Sequence, residues 1–299
     1  MSTNVDELLN SIKKQESALI AFSGGVDSSV VAALAYKALG ERAIAVTMDN
    51  GLLGADDLEH AALNAAQIGI MHVIHEVDPL SLVEVQLNRL DRCYHCKNMM
   101  LSMLQKLADH YGASAIMDGS NASDMQAYRP GMRALAERGV CSPLIRCNKD
   151  EIRTLARALK LKSAERPPTA CLLTRFPYNT RVTREMIERV RRAESYITAF
   201  DITQCRVRDH GGIARIEILK EELDSFIAAS VDITEGLIKL GFAYVTLDLQ
   251  WFRSGSIDHA LCTNDRLTSR VNARKNLGEP REGHARHVNG PQTLSAPHN

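Results

Sequence analysis

The chain has 299 residues, 45% of them hydrophobic, and its 36 basic residues balance 36 acidic ones to give zero formal net charge. The length suits about two domains, and the apolar fraction is high enough for a full core. Zero net charge excludes a global field that would attract nucleic acid or a membrane surface. Because no apolar run approaches about 18 residues and the polar N-terminus lacks a signal-peptide pattern, we expect a cytoplasmic protein without a transmembrane helix.

The chain contains 7 cysteines, an odd number, and a reducing compartment disfavours disulfides. Metal binding or catalysis is therefore the expected use of any cysteine outside the core. Cys141, Cys147 and Cys205 lie in apolar or strand-like surroundings, which predicts core positions, and Cys262 lies in the C-terminal tail. The other cysteines are Cys93, Cys96 and Cys171.

The first half of the chain alternates predicted strands and helices. After an amphipathic helix within residues 1–15, we predict strands at 18–22, 42–48, 72–77 and 115–118 and helices at 30–39, 58–68, 98–111 and 149–159. This alternation is typical of an α/β fold, in which a parallel sheet is covered by helices on both faces. Ligands bind at the carboxyl ends of such strands, so the loops after the first, second and fourth strands are expected to meet at one pocket.

The second half has a different pattern, and the run Arg166-Pro167-Pro168 predicts a boundary or hinge before it. We predict a charged helix at 184–199, a hairpin of strands 205–210 and 213–219, a helix at 221–230 and a strand at 244–249. The chain from residue 259 onward has few apolar residues and is predicted to be disordered. The predicted organisation is therefore a first domain at 1–168, a smaller α/β domain at 169–258 and a tail at 259–299.

The most informative motif is Ser-Gly-Gly-Val-Asp-Ser-Ser at residues 23–29, between the first predicted strand and its following helix. The N–H groups of the first helical turn and the helix dipole favour an anion there. Gly24 and Gly25 allow a close backbone approach and positive φ. Hydroxyl donors are added by Ser23, Ser28 and Ser29. Asp27 calls for a divalent cation or an amide N–H that offsets its charge.

The order of these residues lacks the GK[ST] end of a Walker loop. It resembles the PP-loop of the ATP pyrophosphatase superfamily, whose members cleave ATP between the α and β phosphates and adenylate a substrate. An ordinary strand–helix turn built from small residues is the alternative.

Two further motifs contain cysteine. Cys93 and Cys96 form a C-x-x-C pair, whose spacing lets two thiolates reach one metal or each other. Two half-buried helix cysteines are the alternative for this pair. Cys171 lies in a loop with prolines on both sides, where Arg175 is expected to lower the pKa of its thiol. Such a thiol suits a sulfur donor, a nucleophile or a ligand, and a packing role is the alternative.

Arg206 and Arg208 flank Val207 in a predicted strand, so both side chains lie on one face. Two guanidinium groups on one face suit bidentate binding of a phosphate or carboxylate. The alternative is a solvated edge strand whose charges prevent aggregation. Glu194, in the charged helix, reads as a surface residue when taken alone.

These motifs occur together and in the same order in one family. The matching segments are SGGVDSS at 23–29, RCYHCK at 92–97, DGSNASDMQAYRPG at 118–131, SPL at 142–144, ACLLTRFPY at 170–178 and RVRDHGGIARIE at 206–217. They resemble the LarE family, ATP-dependent sulfur transferases of the PP-loop superfamily that supply sulfur for the nickel-pincer nucleotide cofactor. The resemblance extends from residue 1 to about residue 258, past a final FRSGS segment at 252–256. It implies the adenine nucleotide α-hydrolase-like form of the α/β fold and a homo-oligomer.

The resemblance implies that ATP lies on residues 23–29, with its adenine near Met48 and Gly119 and with Mg²⁺ on its phosphates. The implied substrate is a pyridinium dicarboxylate mononucleotide, whose carboxylate attacks the α-phosphorus to form an acyl adenylate. A sulfur nucleophile then displaces AMP and leaves a thiocarboxylate. The residues with implied roles are Asp27, Glu194 and Cys171 in catalysis and Arg206 and Arg208 in binding the substrate phosphate.

The family uses two sulfur sources. Some members sacrifice the loop cysteine, here Cys171, which becomes dehydroalanine. Others hold a [4Fe–4S] cluster on three thiolates, and the open iron carries a sulfide. Because this chain has Cys93 and Cys96 as well as Cys171, the resemblance favours the cluster branch.

Two other functions stay open. A PP-loop tRNA thiolase would bind RNA through a basic face, which the neutral charge does not favour, so nucleic acid is not an expected partner. A non-catalytic nucleotide-binding protein would retain the fold without the chemistry. The intact Asp27, Ser28, Cys171 and arginine pair argue against that function.

Overall fold

The computed structural model describes residues 5–126, 130–167, 169–253 and 257. Its first sheet has the strand order β3-β2-β1-β4, and the neighbouring strands are parallel. The strands are β1 Ala18–Ala21, β2 Ala43–Asp49, β3 Met71–Glu76 and β4 Ala115–Met117. The helices of this half are α1 Val5–Lys13, α2 Val26–Leu39, α3 Asp57–Ile68, α4 Val83–Gln86, α5 Arg92–Tyr111, α6 Ala122–Gln126, α7 Pro130–Glu137 and α8 Lys149–Ala158.

Helices cover both faces of this sheet, as predicted. Successive strand residues point to opposite faces, so each face of β1 carries its own apolar set. Ala18 and Ile20 pack in one core with residues of α1, α2 and α8, including Ile152. Leu19, between them, packs in another core with Leu101 and other residues of α5 and α7. The near-continuous apolar strand pattern therefore has its expected cause, burial on both sides.

A second, smaller sheet follows in the chain, with the strand order β5-β6-β7. Strands β5 Cys205–Asp209 and β6 Ile213–Ile218 form the predicted antiparallel hairpin, and β7 Tyr244–Leu247 pairs parallel to β6. The helices of this half are α9 Arg184–Thr198, α10 Leu223–Ala228 and α11 Ser230–Lys239. Apolar residues of α9, α11 and the sheet share one core, to which Leu52 from the first half also belongs.

Several elements differ from the sequence prediction. Helix α5 begins at Arg92 rather than at the predicted residue 98. The sequence prediction missed the first turns because they are polar and show no apolar periodicity. The predicted helix at 221–230 is wrong in extent, since α10 ends at Ala228 and α11 follows it. Helix α11 contains Gly236, which weakens the helical signal. A Cβ at Gly236 would lie 2.1 Å from the ring of Tyr196, so the glycine allows α11 to pack against α9.

Both sheets belong to one compact unit that extends to Arg253. This unit contains residues from both predicted domains and does not test the boundary between them, so the boundary at residues 168 and 169 stays a prediction. Pro168, the Ser254–Ser256 part of the FRSGS segment, Cys262 and the predicted disordered tail lie outside the described residues. Within the described ranges, no helix has the length and apolar character that a membrane crossing requires.

Candidate functional site

The loops after β1, β2 and β4 meet at one cavity of about 370 Å³, as the parallel topology predicts. We call it the nucleotide cavity. Its lining includes residues from the predicted ATP site, namely Ser23, Gly25, Asp27, Ser28, Met48 and Gly119. Val46 and Met48 add apolar wall at the end of β2, which suits a planar base.

The PP-loop, residues 23–29, is held in shape by its own serines. Ser28 Oγ donates to the Gly25 carbonyl at 3.1 Å and lies 3.1 Å from Ser23 Oγ. Helix α2 begins at Val26, and no side chain of the described residues caps it. Its first-turn N–H groups are therefore available to an anion in the cavity.

Two residues predicted to bind the nucleotide, Gly24 and Ser29, lie outside the lining of the nucleotide cavity. Gly24 has φ +71°, and a Cβ there would lie 2.6 Å from Ala61 Cα of α3, so only glycine fits. Its carbonyl accepts a hydrogen bond from Asn64 Nδ2 at 2.8 Å. Ser29 is fully buried outside the cavity lining, and its hydroxyl has no partner among the described residues.

Gly119 brings the loop after β4 against the PP-loop. A Cβ at Gly119 would lie 2.8 Å from Ser28 N and 3.1 Å from Asp27 Cβ. A larger residue would therefore push the two loops apart and widen the nucleotide cavity. This close approach is a specific reason for glycine at the end of β4.

Two lysines in the nucleotide cavity were missed by sequence reasoning. Lys149 Nζ forms an ion pair with Asp27 Oδ2 at 2.5 Å, and Lys97 Nζ lies 3.8 Å from Asp118 Oδ2. Both lysines line the cavity, where ammonium groups attract phosphate oxygens. Lys97 directly follows the C-x-x-C pair, and Lys149 is the first residue of α8, so only the fold brings them together.

The two carboxylate oxygens of Asp27 have different environments. Its Oδ1 is buried and has no hydrogen-bond partner among the described residues, while Oδ2 is bound by Lys149. A buried oxygen without a partner is costly unless a ligand satisfies it. The atom therefore suits coordination of a divalent cation beside phosphate groups.

A second cavity of about 210 Å³ lies between α9, β5 and the loop after β2, and we call it the arginine cavity. Its charged lining residues are Asp56, Asp57, Arg166, Arg175, Arg191, Glu194 and Arg206. Phe252 and Cys205 also line it. Both Arg206 and Glu194 were predicted substrate-site residues, and both lie here.

Arg206 presents its guanidinium group to this cavity without an ion-pair partner among the described residues. Its Nη1 donates to the Arg253 carbonyl at 3.2 Å, and its guanidinium carbon lies 4.3 Å from the centroid of the Phe252 ring. Burial and the positive charges of Arg175 and Arg208 lower the pKa of Arg206 to about 10. The group stays charged at neutral pH, so an anion would stabilise it.

Arg208 is in a different environment, although it shares the strand face. It is buried, and its guanidinium makes two hydrogen bonds to the Glu217 carboxylate, of 2.8 and 3.0 Å. It also donates to the Thr174 carbonyl and does not line the arginine cavity. The prediction that Arg208 contacts the substrate phosphate stays a prediction, and the observed role of the residue is to tie β5 to β6 and to the Cys171 loop.

Glu194 forms a bidentate pair with Arg175, with contacts of 2.7 and 3.0 Å. Its Oε1 also accepts the backbone N–H of Val207 at 2.9 Å. Arg175 in turn donates to the carbonyl of Ala170, the residue before Cys171, at 3.1 Å. Glu194 therefore connects helix α9 and strand β5 to the Cys171 loop through Arg175.

The three predicted sulfur-site cysteines lie near one another. Cys93 and Cys96 lie at the start of α5, and Cys171 precedes a short 3₁₀ turn at Leu172–Arg175. Cys93 and Cys171 are exposed, whereas Cys96 is partly buried. Burial raises the pKa of Cys96 to about 12, with further contributions from the nearby thiolate charges of Cys171 and Cys93.

Arg175 acts on the Cys171 thiol in the expected direction, but the expectation that the pKa of this thiol is lowered overall is wrong. Although Cys171 reaches solvent, desolvation by the surrounding protein raises the pKa of its thiol. This effect outweighs the Leu173 N–H and the positive charges of Arg92 and Arg175, which act in the opposite direction. The core position predicted for Cys141 is also wrong, because Cys141 is exposed, whereas Cys147 and Cys205 are buried as predicted.

Among the described residues, no group of three or more histidine, cysteine or acidic side chains lies close enough to share a single metal ion. An iron–sulfur cubane spreads its thiolate ligands over different iron atoms, so these ligands need not converge on one point. The cluster that the resemblance implies for the three cysteines stays a prediction.

Comparison with known proteins identifies relatives that cover most of the chain. A family model described as NAD synthase matches residues 2–99. The uncharacterized protein slr1717 of Synechocystis sp. is 36% identical over 265 residues, which cover 87% of this chain and 99% of that protein. The pyridinium-3,5-bisthiocarboxylic acid mononucleotide synthase of Lactiplantibacillus plantarum is 33% identical over 264 residues, which cover 87% of this chain and 96% of that enzyme.

A more partial match is a glutamine-hydrolyzing GMP synthase component of Methanococcus maripaludis, 30% identical over 174 residues, which cover 52% of this chain and 55% of that protein. Together with the parallel sheet and the loop at residues 23–29, the matches define an enzyme of the ATP-utilising PP-loop superfamily. The chain belongs to the LarE family of this superfamily, the sulfur transferases of nickel-pincer cofactor synthesis. The expected homo-oligomer and the cytoplasmic location stay predictions.

Proposed function

We propose that this enzyme uses ATP to adenylate the carboxylates of a pyridinium dicarboxylate mononucleotide and converts them to thiocarboxylates. The observation that carries the proposal is that the nucleotide cavity and the arginine cavity are lined by consecutive residues of one loop, Leu53 and Gly54. The chain that holds them is 33% identical to a pyridinium-3,5-bisthiocarboxylic acid mononucleotide synthase. The product named for that relative differs from the dicarboxylate by exchange of carboxylate oxygen for sulfur.

In the first step, a carboxylate oxygen of the mononucleotide attacks the α-phosphorus of ATP. The bond from this phosphorus to the bridging oxygen of the β-phosphate breaks, so pyrophosphate leaves and an acyl adenylate remains. The N–H groups at the start of α2 and the ammonium groups of Lys97 and Lys149 would hold the phosphates. Asp27 Oδ1 would coordinate Mg²⁺, which supplies charge neutralisation of the departing pyrophosphate when it is bound.

The arginine cavity would hold the mononucleotide. Arg206 has no carboxylate ion pair among the described residues, so its charge is available to the substrate phosphate. Glu194 would act with Arg175 to keep β5 and the Cys171 loop in register with the bound substrate. Phe252 adds an aromatic surface beside Arg206, which suits a pyridinium ring.

Sulfur transfer follows at the acyl carbon, where the bond to the AMP oxygen breaks and AMP leaves. Cys93, Cys96 and Cys171 are the residues that would hold a [4Fe–4S] cluster, which supplies a transferable sulfide on its open iron when it is bound. The effect of Cys93 and Cys171 on the pKa of Cys96 indicates that the three side chains lie near one another.

In the sacrificial version of the chemistry, Cys171 Sγ attacks the acyl carbon and forms a thioester. Loss of the Cys171 α-proton to a base and cleavage of the Cβ–Sγ bond then leave dehydroalanine and the thiocarboxylate. The raised pKa of Cys171 makes the free thiol a weaker nucleophile at neutral pH.

The test is a complete reaction with anaerobically purified protein, ATP, Mg²⁺, sulfide and pyridinium-3,5-dicarboxylate mononucleotide. We expect AMP, pyrophosphate and a product whose mass shows exchange of oxygen for sulfur. Nicotinamide mononucleotide, which lacks a free carboxylate, should give no AMP. Absence of AMP with the dicarboxylate, or equal AMP with both compounds, would contradict the proposal.

A further inference from the structure

The segment between β2 and α3 belongs to both cavities. Residues 50–56, which we call the partition loop, contribute Asn50 and Leu53 to the nucleotide cavity. The same segment contributes Gly54 and Asp56 to the arginine cavity. A displacement of this loop would therefore change the walls of both cavities at once.

A backbone hydrogen bond also connects the partition loop to the Cys171 loop. Leu52 is only 1% exposed and packs in the core of the second half of the chain. Its carbonyl accepts the N–H of Leu172, the residue after Cys171, at 2.9 Å. Directly after the partition loop, Asp57, the first residue of α3, accepts a hydrogen bond from Arg166 at 2.7 Å. The nucleotide cavity, the arginine cavity and the Cys171 loop therefore all contact the partition loop.

Arg191 of α9 is the side chain that holds the middle of this loop. Its Nη2 donates to the Gly51 carbonyl at 2.7 Å, and its Nε donates to the Leu53 carbonyl at 3.1 Å. Nη1 pairs with Glu188, one turn earlier on the same helix. The planar guanidinium fork bridges two carbonyls at fixed separation, and a lysine ammonium lacks that geometry.

We propose that Arg191 is a positioning residue that couples adenylation to sulfur transfer by fixing the partition loop. The inference rests on the proposed function, in which one acyl group must reach the α-phosphorus first and the sulfur afterwards. A misplacement of about 1 Å can cost on the order of a hundredfold in such a reaction. Because Arg191 bonds the loop backbone, it sets the alignment of both steps through the loop, and its side chain also lines the arginine cavity.

The experiment compares Arg191→Ala and Arg191→Lys with the matched control Arg192→Ala, whose side chain is exposed on the same helix. Each variant receives ATP, sulfide and the dicarboxylate mononucleotide, and AMP and thiocarboxylate are quantified together with Tm. We expect the ratio of AMP to thiocarboxylate to rise about tenfold in Arg191→Ala, because the misaligned acyl adenylate is lost to water. Arg191→Lys should give an intermediate ratio, and Arg192→Ala should match the wild type.

A ratio that stays at the wild-type value in folded Arg191→Ala would overturn the inference, even if both products decline together. If Arg191→Ala fails to fold, the ratio in Arg191→Lys decides, and a wild-type ratio there would likewise overturn it. If the wild-type protein makes no AMP from the mononucleotide, the proposed function fails and this inference fails with it. Failure of the coupling alone is distinguished by normal wild-type product formation.

Discussion

Asp27 combines a bound and a spare carboxylate oxygen within the PP-loop, since Lys149 holds Oδ2 and Oδ1 has no partner among the described residues. The Lys149 pair is partly exposed and contributes little to stability. We therefore expect Asp27→Ala to lower pyrophosphate release by roughly two orders of magnitude with little change in Tm. Asp150→Asn, an exposed carboxylate change beside Lys149, is the control and should retain activity. Undiminished pyrophosphate release by Asp27→Ala would show that Asp27 has no role in the reaction with ATP.

Arg206 and Arg208 should respond differently to substitution, although they share one strand face. Arg206→Ala removes a cation that lacks an ion pair among the described residues, so KM for the mononucleotide should rise while KM for ATP and Tm change little. Arg208→Ala removes the bidentate partner of buried Glu217, which keeps its contact to Arg215, and should cost at most about 3 kcal/mol of stability. Product assays and thermal unfolding of both variants check this contrast. Equal loss of stability in both would show that Arg206 is also structural.

Strand β3 supplies a test of pH dependence at the scale of an element. His72 Nε2 lies 2.8 Å from Thr47 Oγ1, which itself donates to the Phe22 carbonyl, so the imidazole acts as donor to the end of β2. Burial lowers the pKa of His72. The folded protein thus binds this proton more weakly than the unfolded chain, and the stability contributed by a neutral His72 falls as the pH drops below about 6.5.

The measurement is Tm of the wild type and of His72→Gln from about pH 7.5 to about pH 5.5. Wild-type Tm should decline relative to the variant in the acidic part of this range. Other titrating groups, including His210, are common to both proteins, so their effects cancel in the difference. Parallel Tm curves would show that His72 titrates alike in the folded and unfolded states.

The elements of the first sheet were predictable because their signals are local. Strands buried on both faces give short apolar runs such as residues 43–48, and the PP-loop glycines and serines identify the turn between β1 and α2. The start of α5 at Arg92 was missed because Cys93 and its neighbours give no apolar period. The local signal there is chemical, a C-x-x-C spacing, and it does not report secondary structure.

The charge pairs of the site were beyond sequence reasoning because their partners are distant in the chain. Nothing near Asp27 in the sequence indicates Lys149. Nothing in the spacing of Arg206 and Arg208 indicates that only Arg208 has a carboxylate partner among the described residues, Glu217. The pKa of Cys171 shows the same limit. Arg175 is a sequence neighbour with the expected effect, but desolvation by the folded surroundings determines the direction of the shift.

At the scale of the whole molecule, the fold brings a helix start and a distant loop to one place. Cys93 raises the pKa of both Cys96 on the same helix and Cys171 before the 3₁₀ turn, although Cys171 comes from the other half of the chain. Three thiolates suit a [4Fe–4S] cluster with one open iron. Anaerobically prepared protein should therefore be brown and contain about four irons per chain.

Single changes of each of these cysteines to alanine should remove most of the iron, because two thiolates hold such a cluster weakly. Cys141→Ala and Cys205→Ala are matched controls, one exposed and one buried, and should retain the iron. The wild-type protein should also turn over repeatedly when sulfide is supplied. A colourless anaerobic preparation that forms one thiocarboxylate per chain and shows dehydroalanine at Cys171 would instead establish the sacrificial chemistry.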